Sequence, residues 1–156
     1  MTHLETHDDQ PAHRRFAVDC FNLAWELIAR PDRSEVDTAE MIHLAHTSRW
    51  HWEQFDGHTR EQLSIGDWQL ARVYALAGRA GEAHRYALSS LRIAEAAGLE
   101  PFHIAYGHEA LARAAAVAED PVQKKKHLAE ALRHLANVTE ADEREVLEAD
   151  LRNLAD

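Results

Sequence analysis

Glycine and proline residues divide this chain into segments that each carry a helical pattern, and this division constrains the fold most. Pro31, Gly78, Gly98, Pro101 and Pro121 stand where an apolar pattern stops or starts. Glycine commonly ends a helix, and proline suits the first turn of the next one. Between these positions the apolar residues recur at helical spacing, and no segment alternates as a strand would. We therefore predict seven helices and an all-α fold.

Capping residues refine the helix boundaries. Ser34 with Asp37, and Thr59 with Gln62, have the form of capping boxes, which predicts helices that start directly after Ser34 and Thr59. The polar, aperiodic residues 1–13 predict a disordered or loosely docked tail, and we expect the first helix to begin near Arg14. A chain of 156 residues is long enough to bury one core, so residues 14–156 should form a single helical domain.

Predicted helix pairs begin near residues 14, 59 and 101, at intervals of 42–45 residues, which is typical of stacked helical hairpins. The segment from Trp68 to Leu91 contains Leu70-Ala71, Tyr74, Gly78 and Ala83 at characteristic positions. This segment resembles a tetratricopeptide repeat, although its tryptophan is one position nearer the leucine than usual. The flanking repeats match more weakly. The resemblance implies a stack of three antiparallel helix hairpins with a C-terminal capping helix, and a groove that binds a partner.

A second apolar stripe, opposite the expected core, runs along the first helix of each hairpin. In the first helix, the expected core stripe is Phe16, Cys20, Leu23 and Leu27. In a tetratricopeptide-like stack the second stripes would adjoin one another on the concave side. Trp, Tyr and Arg often dominate binding energy, so we predict a ligand groove there. This predicted groove consists of Phe21, Trp25, Trp68, Arg72, Phe102, Tyr106, Glu109 and Arg113.

Each residue of the predicted groove has an expected role. Trp25 and Trp68 are the proposed anchors, and the other aromatic residues add apolar contact. Arg72 and Arg113 would bind carboxylate or phosphate groups, and Glu109 could orient an arginine or a ligand amine. Three alternatives remain for this face, namely ordinary core in a tightly curled solenoid, a surface covered by the N-terminal tail, or a dimer seam.

The net charge and the apolar runs of the chain restrict the classes of partner that it can bind. The chain carries 17 basic and 27 acidic residues, a formal charge of −10 that opposes binding to nucleic acid. No apolar run is long enough to span a membrane, and residues 1–15 lack the apolar segment of a signal peptide, so we expect a cytoplasmic protein without a membrane partner. The expected partner is a protein or peptide segment or a small anionic ligand, and a homodimer is a further alternative.

Twelve histidines are a high count for this length. His43, His46 and Trp50 lie opposite the core stripe of the second helix, so we predict an interface there if the protein dimerises. Glu40 and His43 have the Glu-x-x-His spacing of di-iron bundles, but such a site needs this motif on two helices and two more glutamates, and the only other occurrence, Glu100 with His103, is poorly placed at a helix start. The remaining histidines show no shared spacing, including His84, His108, His127 and His134. We therefore predict no metal site and no cofactor.

Catalytic signatures are absent from the sequence. It contains no glycine-rich phosphate loop and no Gly-x-Ser-x-Gly elbow, and its one cysteine, Cys20, lies in an apolar helical pattern. The favoured prediction is a non-catalytic binding module. The alternative is a helical homo-oligomer whose His/Glu pocket binds a metal or performs acid/base chemistry.

Overall fold

The computed structural model describes residues 8–155, which form seven helices and no strand, as the sequence predicts. None of these helices is both long and apolar enough to cross a membrane. The cytoplasmic location stays a prediction. In chain order the helices are α1 (Gln10–Ile28), α2 (Glu35–Gln54), α3 (Arg60–Leu76), α4 (Ala80–Ala96), α5 (Pro101–Val117), α6 (Pro121–Leu135) and α7 (Ala141–Ala155).

The helix ends follow the predicted signals closely. Ser34 and Thr59 both form complete capping boxes, each accepting a hydrogen bond from the backbone of the third helical residue. Gly78 and Gly98 adopt positive φ values of 74° and 61°, which glycine tolerates without steric cost. Glu119 takes a similar conformation after α5, with a φ of 56°, where the sequence offers no glycine. Local backbone chemistry therefore determines most of the boundaries.

The start of α1 differs from its prediction. This helix begins at Gln10, not near Arg14, with Pro11 in its first turn. The Gln10 side chain donates to the Gln54 carbonyl and accepts from the Asp56 N–H, which ties the helix start to the end of α2. Residues 10–13 thus belong to the helical domain. Of the tail predicted for residues 1–13, residues 1–7 lie outside the described residues.

Helices adjacent in sequence pack against one another, with the largest contacts between α1 and α2, α3 and α4, and α5 and α6. Helix α3 also contacts α5 and, more narrowly, α1. Helix α7 packs on α5 and α6. The helix pairs start at residues 10, 60 and 101, so their spacing is less regular than predicted.

Helix α3 contacts both α1 and α5, so these three helices lie beside one another. This arrangement brings together the residues of the predicted groove.

The predicted core stripe of α1 was wrong at two positions. Phe16 and Leu23 are 42% and 46% exposed, whereas Ala17 and Ala24 are completely buried. Small residues let α1 approach α2 closely, and the hydroxyl of Ser48 donates to the Ala17 carbonyl oxygen over 2.7 Å. Leu27 is buried as predicted. The apolar stripe with the larger side chains therefore does not mark the buried face here.

A second close approach joins α4 to α5. A Cβ atom placed on Gly107 would lie 2.9 Å from the Cβ of Leu91 and 3.0 Å from its Cα. Real Cβ atoms rarely come so near to backbone, so only glycine fits without moving one of the helices. The glycine therefore allows α4 and α5 to pack closely at this point.

Candidate functional site

Two tryptophans meet at the centre of the predicted groove. The rings of Trp25 on α1 and Trp68 on α3 lie 5.4 Å apart between centroids, and Phe21 contacts Trp25 edge-on at 6.3 Å. All three side chains are half-buried. Trp68 also packs against the buried clusters around α5, α6 and α4. It thus belongs partly to the core and partly to the surface.

The aromatic contacts continue onto α5. The ring of Tyr106 lies 5.2 Å from that of Trp68 and 5.0 Å from that of Phe102, and both pairs meet edge to face. This geometry suits the charge distribution of aromatic rings. Tyr106 is only 8% exposed, whereas Phe102 is half-buried. The structure therefore brings the five predicted aromatic residues together as one continuous series.

Glu109 is fully buried and holds both predicted arginines. Its Oε1 accepts from Nε of Arg113 at 2.7 Å and lies 3.4 Å from Nη2 of Arg72, and its Oε2 accepts from the Trp68 indole N–H at 3.4 Å. A second donor of Arg113 also reaches this carboxylate. The expectation that Glu109 orients an arginine fits this geometry. The two guanidinium groups, however, are already paired inside the protein instead of standing free for an anion.

Arg72 lies deep in this network. Its guanidinium stands over the Trp68 ring, 5.3 Å from the centroid, and a second carboxylate, that of Asp150, lies 3.7 Å from its Nη2. Burial lowers the pKa of Arg72, and the charge of Glu109 counters that effect. Arginine stays protonated in proteins. The two carboxylates of Glu109 and Asp150 thus balance the charges of the two arginines, Arg72 and Arg113.

Asp150 on α7 belongs to the site, although no motif in the sequence indicates it. Its carboxylate accepts from the hydroxyl of Tyr106 at 2.8 Å. Burial, and then the bond to Asp150, raises the pKa of Tyr106 far above its ordinary value, so the phenol remains a donor. The only sequence clue to Asp150 is its position, since it directly precedes Leu151 of the apolar stripe of α7. The stripe does not reveal where α7 docks.

One apolar pocket opens beside Trp68 and another beside Phe21, and each has a volume of about 190 Å³. Ile65 on α3 lines both of them. The Trp68 pocket lies between α3, α4, α5 and α7, and its lining is Ser64, Ile65, Trp68, Ser90, Phe102, His103, Tyr106 and Val146. The Phe21 pocket lies between α1, α2 and α3, and its lining is Val18, Phe21, Asn22, Trp52, Gln62 and Ile65. Ile65 and Val146 are thus pocket residues outside the predicted groove.

The polar groups of the Trp68 pocket are mostly engaged within the protein. The hydroxyls of Ser64 and Ser90 donate to each other's backbone carbonyl oxygens at 2.9 and 2.8 Å. Nε2 of His103 lies 2.7 Å from a carboxylate oxygen of Glu61, whose side chain is 52% exposed. These contacts leave a lining that is apolar in character.

The predicted interface residues on α2 differ in exposure, although His46 and Trp50 line the same polar cavity. His43 is exposed, and Trp50 is 53% exposed and contacts His13 and His51. His46 instead points inward, with its Nε2 2.8 Å from the Tyr74 hydroxyl oxygen. Burial, followed by the charges of His43 and Arg85, lowers the pKa of His46. An interface on this helix stays a prediction, and the structure supports an outward position only for His43 and Trp50.

In comparisons with known proteins, no protein-family model matches the chain, and neither a curated protein nor a solved structure matches it. The site must therefore be interpreted from its own geometry.

Proposed function

We propose that this chain is a non-catalytic binding module that holds an apolar segment of a protein or peptide. Its scaffold would be a tetratricopeptide-like stack of three hairpins, α1–α2, α3–α4 and α5–α6, with α7 as the closing helix. The single observation that carries this proposal is the pair of adjacent apolar pockets that meet at Ile65. Exposed apolar concavities of this kind usually mark a contact on a protein surface.

Pocket size suggests what the segment contributes. A dry cavity of about 150 Å³ lined by apolar side chains can hold a molecule the size of benzene. Each pocket here has about 190 Å³, which is room for one large apolar side chain. Two such pockets on either side of Ile65 fit two apolar side chains of one segment. The recognition mode would be apolar anchors in a groove, with Trp68 in the wall of one pocket and Trp52 in the wall of the other, whereas the predicted anchor Trp25 lines neither pocket.

The charges favour an apolar segment over a small anionic ligand. Arg72 and Arg113 were the residues expected to bind an anion, but Glu109 and Asp150 already neutralise them. An incoming carboxylate would have to displace a buried carboxylate, which is costly in a site of low dielectric. The formal charge of −10 adds a long-range repulsion of acidic segments. We therefore propose a neutral or basic segment.

The same contacts support a binding role over a catalytic one. Acid/base chemistry at the Trp68 pocket would use His103, and nucleophilic chemistry would use Ser64. The Ser64 hydroxyl, however, donates to the backbone of Ser90, and the carboxylate beside His103 belongs to the exposed Glu61. A catalytic nucleophile needs a base within hydrogen-bond reach, with a third group that orients that base. The contacts of Ser64 and His103 do not form this arrangement.

A matched pair of substitutions tests the proposal. Val146 lines the Trp68 pocket and is 55% exposed, and Val122 at the start of α6 is 72% exposed and lines neither pocket. Both valines tolerate a change to glutamate on grounds of exposure, so both variants should fold. Peptides selected from a random library on the full chain would then be measured by titration calorimetry against the wild type and both variants.

We expect the selected peptides to carry two apolar residues and to bind Val146→Glu at least about 30-fold more weakly, equivalent to about 2 kcal/mol at an interface hot spot. Binding to Val122→Glu should match the wild type. Equal binding to both variants would place the site elsewhere, and acidic peptides whose binding depends on Arg72 would favour the anion alternative. Failure to select any peptide would overturn the proposal.

A further inference from the structure

A cluster of four side chains lies between α5 and α6, and no sequence motif indicates it. This histidine cluster consists of His108, His127, Glu130 and His134, and it is separate from both apolar pockets. One ring nitrogen of His108, one of His134 and one carboxylate oxygen of Glu130 all lie within 4.8 Å of one another. Among the residues that the structure describes, no other group of His, Cys, Asp and Glu side chains meets this condition.

We propose that His108, Glu130 and His134 bind a divalent transition-metal ion, with Zn²⁺ as the representative case. Two imidazoles and one carboxylate are a donor set that Zn²⁺ accepts, and three protein ligands leave a fourth position for water. Zinc–ligand bonds of about 2.0–2.2 Å place tetrahedral ligand atoms roughly 3.4 Å apart. The ligand atoms, which lie within 4.8 Å of one another, would close to this spacing by side-chain rotation, and all three residues are half-buried, not locked in the core.

Helix geometry explains why these residues meet. Glu130 and His134 are four residues apart on α6, so they share one face of that helix. His108 comes from α5, which packs along the length of α6. Its ring is stacked on that of His134, with centroids 5.7 Å apart. The spacing along the sequence predicts no site, because the third ligand is supplied by the packing of two helices.

His127 stands beside the proposed ligands as a positioning residue. Its Nδ1 lies 3.2 Å from Nδ1 of His108, and the two rings are stacked with centroids 5.4 Å apart. Histidine ligands of metals usually hydrogen-bond through their second ring nitrogen, which fixes the orientation of the ring. His127 is placed to do this through Nδ1 of His108, which leaves Nε2 of His108 for the metal ion.

A cation already occupies the position beside the other two ligands. Nη2 of Arg133 lies 2.7 Å from Oε2 of Glu130 and 3.3 Å from Nε2 of His134. The Arg133 side chain is 65% exposed, so this ion pair contributes little to stability and is easily given up. The guanidinium therefore shows where positive charge is favoured, and a metal ion that bound there would displace it.

The test uses the full chain with Zn²⁺ in titration calorimetry and Co²⁺ as an optical probe of tetrahedral coordination. The variants are His134→Gln, Glu130→Gln and Arg133→Gln. The matched control is His51→Gln, because His51 also lies 2.9 Å from another histidine, His13, but without a carboxylate in place. Circular dichroism verifies that each variant keeps its helices.

We expect one Zn²⁺ per chain and the intense visible absorption of tetrahedral Co²⁺. His134→Gln and Glu130→Gln should each weaken Zn²⁺ binding by at least about 100-fold, because even outer-shell partners contribute about 10–100-fold. His51→Gln should bind as the wild type does, and Arg133→Gln should bind equally or more tightly because the competing cation is gone. Weak binding at several sites, or equal losses in His134→Gln and His51→Gln, would overturn the proposal. Weaker binding by Arg133→Gln would also contradict it.

Discussion

The hydroxyl of Tyr106 donates a hydrogen bond to Asp150 over 2.8 Å, and this bond joins α5 to α7 beside the Trp68 pocket. Tyr106 is 8% exposed, so a lost partner would not be replaced fully by water. We expect Tyr106→Phe to lower the free energy of unfolding by about 0.5–1.5 kcal/mol, as removal of one hydrogen bond does. Urea unfolding monitored by circular dichroism measures this change. A double-mutant cycle with Asp150→Asn should show coupling between the two positions, and additive effects would contradict the role of the bond.

Glu109→Gln tests the buried charge network. The substitution removes the negative charge that neutralises Arg72 and Arg113, and Glu109 is completely buried. We expect a loss of about 3 kcal/mol or more in the free energy of unfolding, because breaking a buried ion pair leaves charge without compensation. The control is Glu82→Gln, which breaks the exposed pair with Arg79 and should change stability by less than about 1 kcal/mol. Similar losses in the two variants would show that Glu109 contributes no more to the free energy of unfolding than an exposed ion pair does.

The two tryptophans should differ in their effect on stability. Trp68 packs against two buried clusters, whereas Trp25 is half-buried against Trp68 and Phe21. We expect Trp68→Ala to cost about 3–5 kcal/mol, as large core truncations do, and Trp25→Ala to cost less than half of that. Denaturant titration of both variants gives the comparison. A larger loss for Trp25→Ala would mean that α1 carries more of the core than its contacts indicate.

Stability should fall on mild acidification because of His108. Burial, followed by the charge of His127, lowers its pKa to about 4 from the ordinary 6.5. Between these values the unfolded chain binds more protons than the folded one, so the contribution of His108 is present above pH 6.5 and is lost as the pH falls towards 4. Urea midpoints at about pH 7 and about pH 5, with a chelator present, measure the effect. His108→Asn should show a smaller drop than the wild type, and an equal drop would assign the effect to other histidines.

Sequence reasoning located the helices well because their ends depend on neighbouring residues. A capping box such as Ser34 with Asp37, or a glycine such as Gly78, acts within one turn of the chain. The prediction of the buried face of α1 was wrong for a physical reason, because size and apolar character do not by themselves show which residues are buried. Helix α1 instead buries Ala17 and Ala24, and their small size is what permits the close contact.

The candidate site was predicted only in part. Periodicity placed Trp25, Trp68 and Tyr106 on faces that adjoin, and the structure shows their rings in contact. Periodicity could not show that Glu109 neutralises both arginines, or that α7 supplies Asp150, because those facts depend on how distant helices dock. The histidine cluster was missed for the same reason, since His108 comes from a different helix than its neighbours.

The contact between Gly107 and Leu91 limits the movement of α4 and α5, two of the helices that line the Trp68 pocket. On the side of α4 and α5 the space between Gly107 and Leu91 has no room for one more carbon atom, so even Gly107→Ala would overpack the contact at a cost of about 1–3 kcal/mol. On the side of α7, Val146 is half exposed to solvent, and the polar links to Tyr106 and Arg72 converge on one carboxylate. A bulkier guest would therefore gain room only on the side of α7, by rotation of the exposed Val146 side chain, because Leu147 and Leu151 hold that helix in the core.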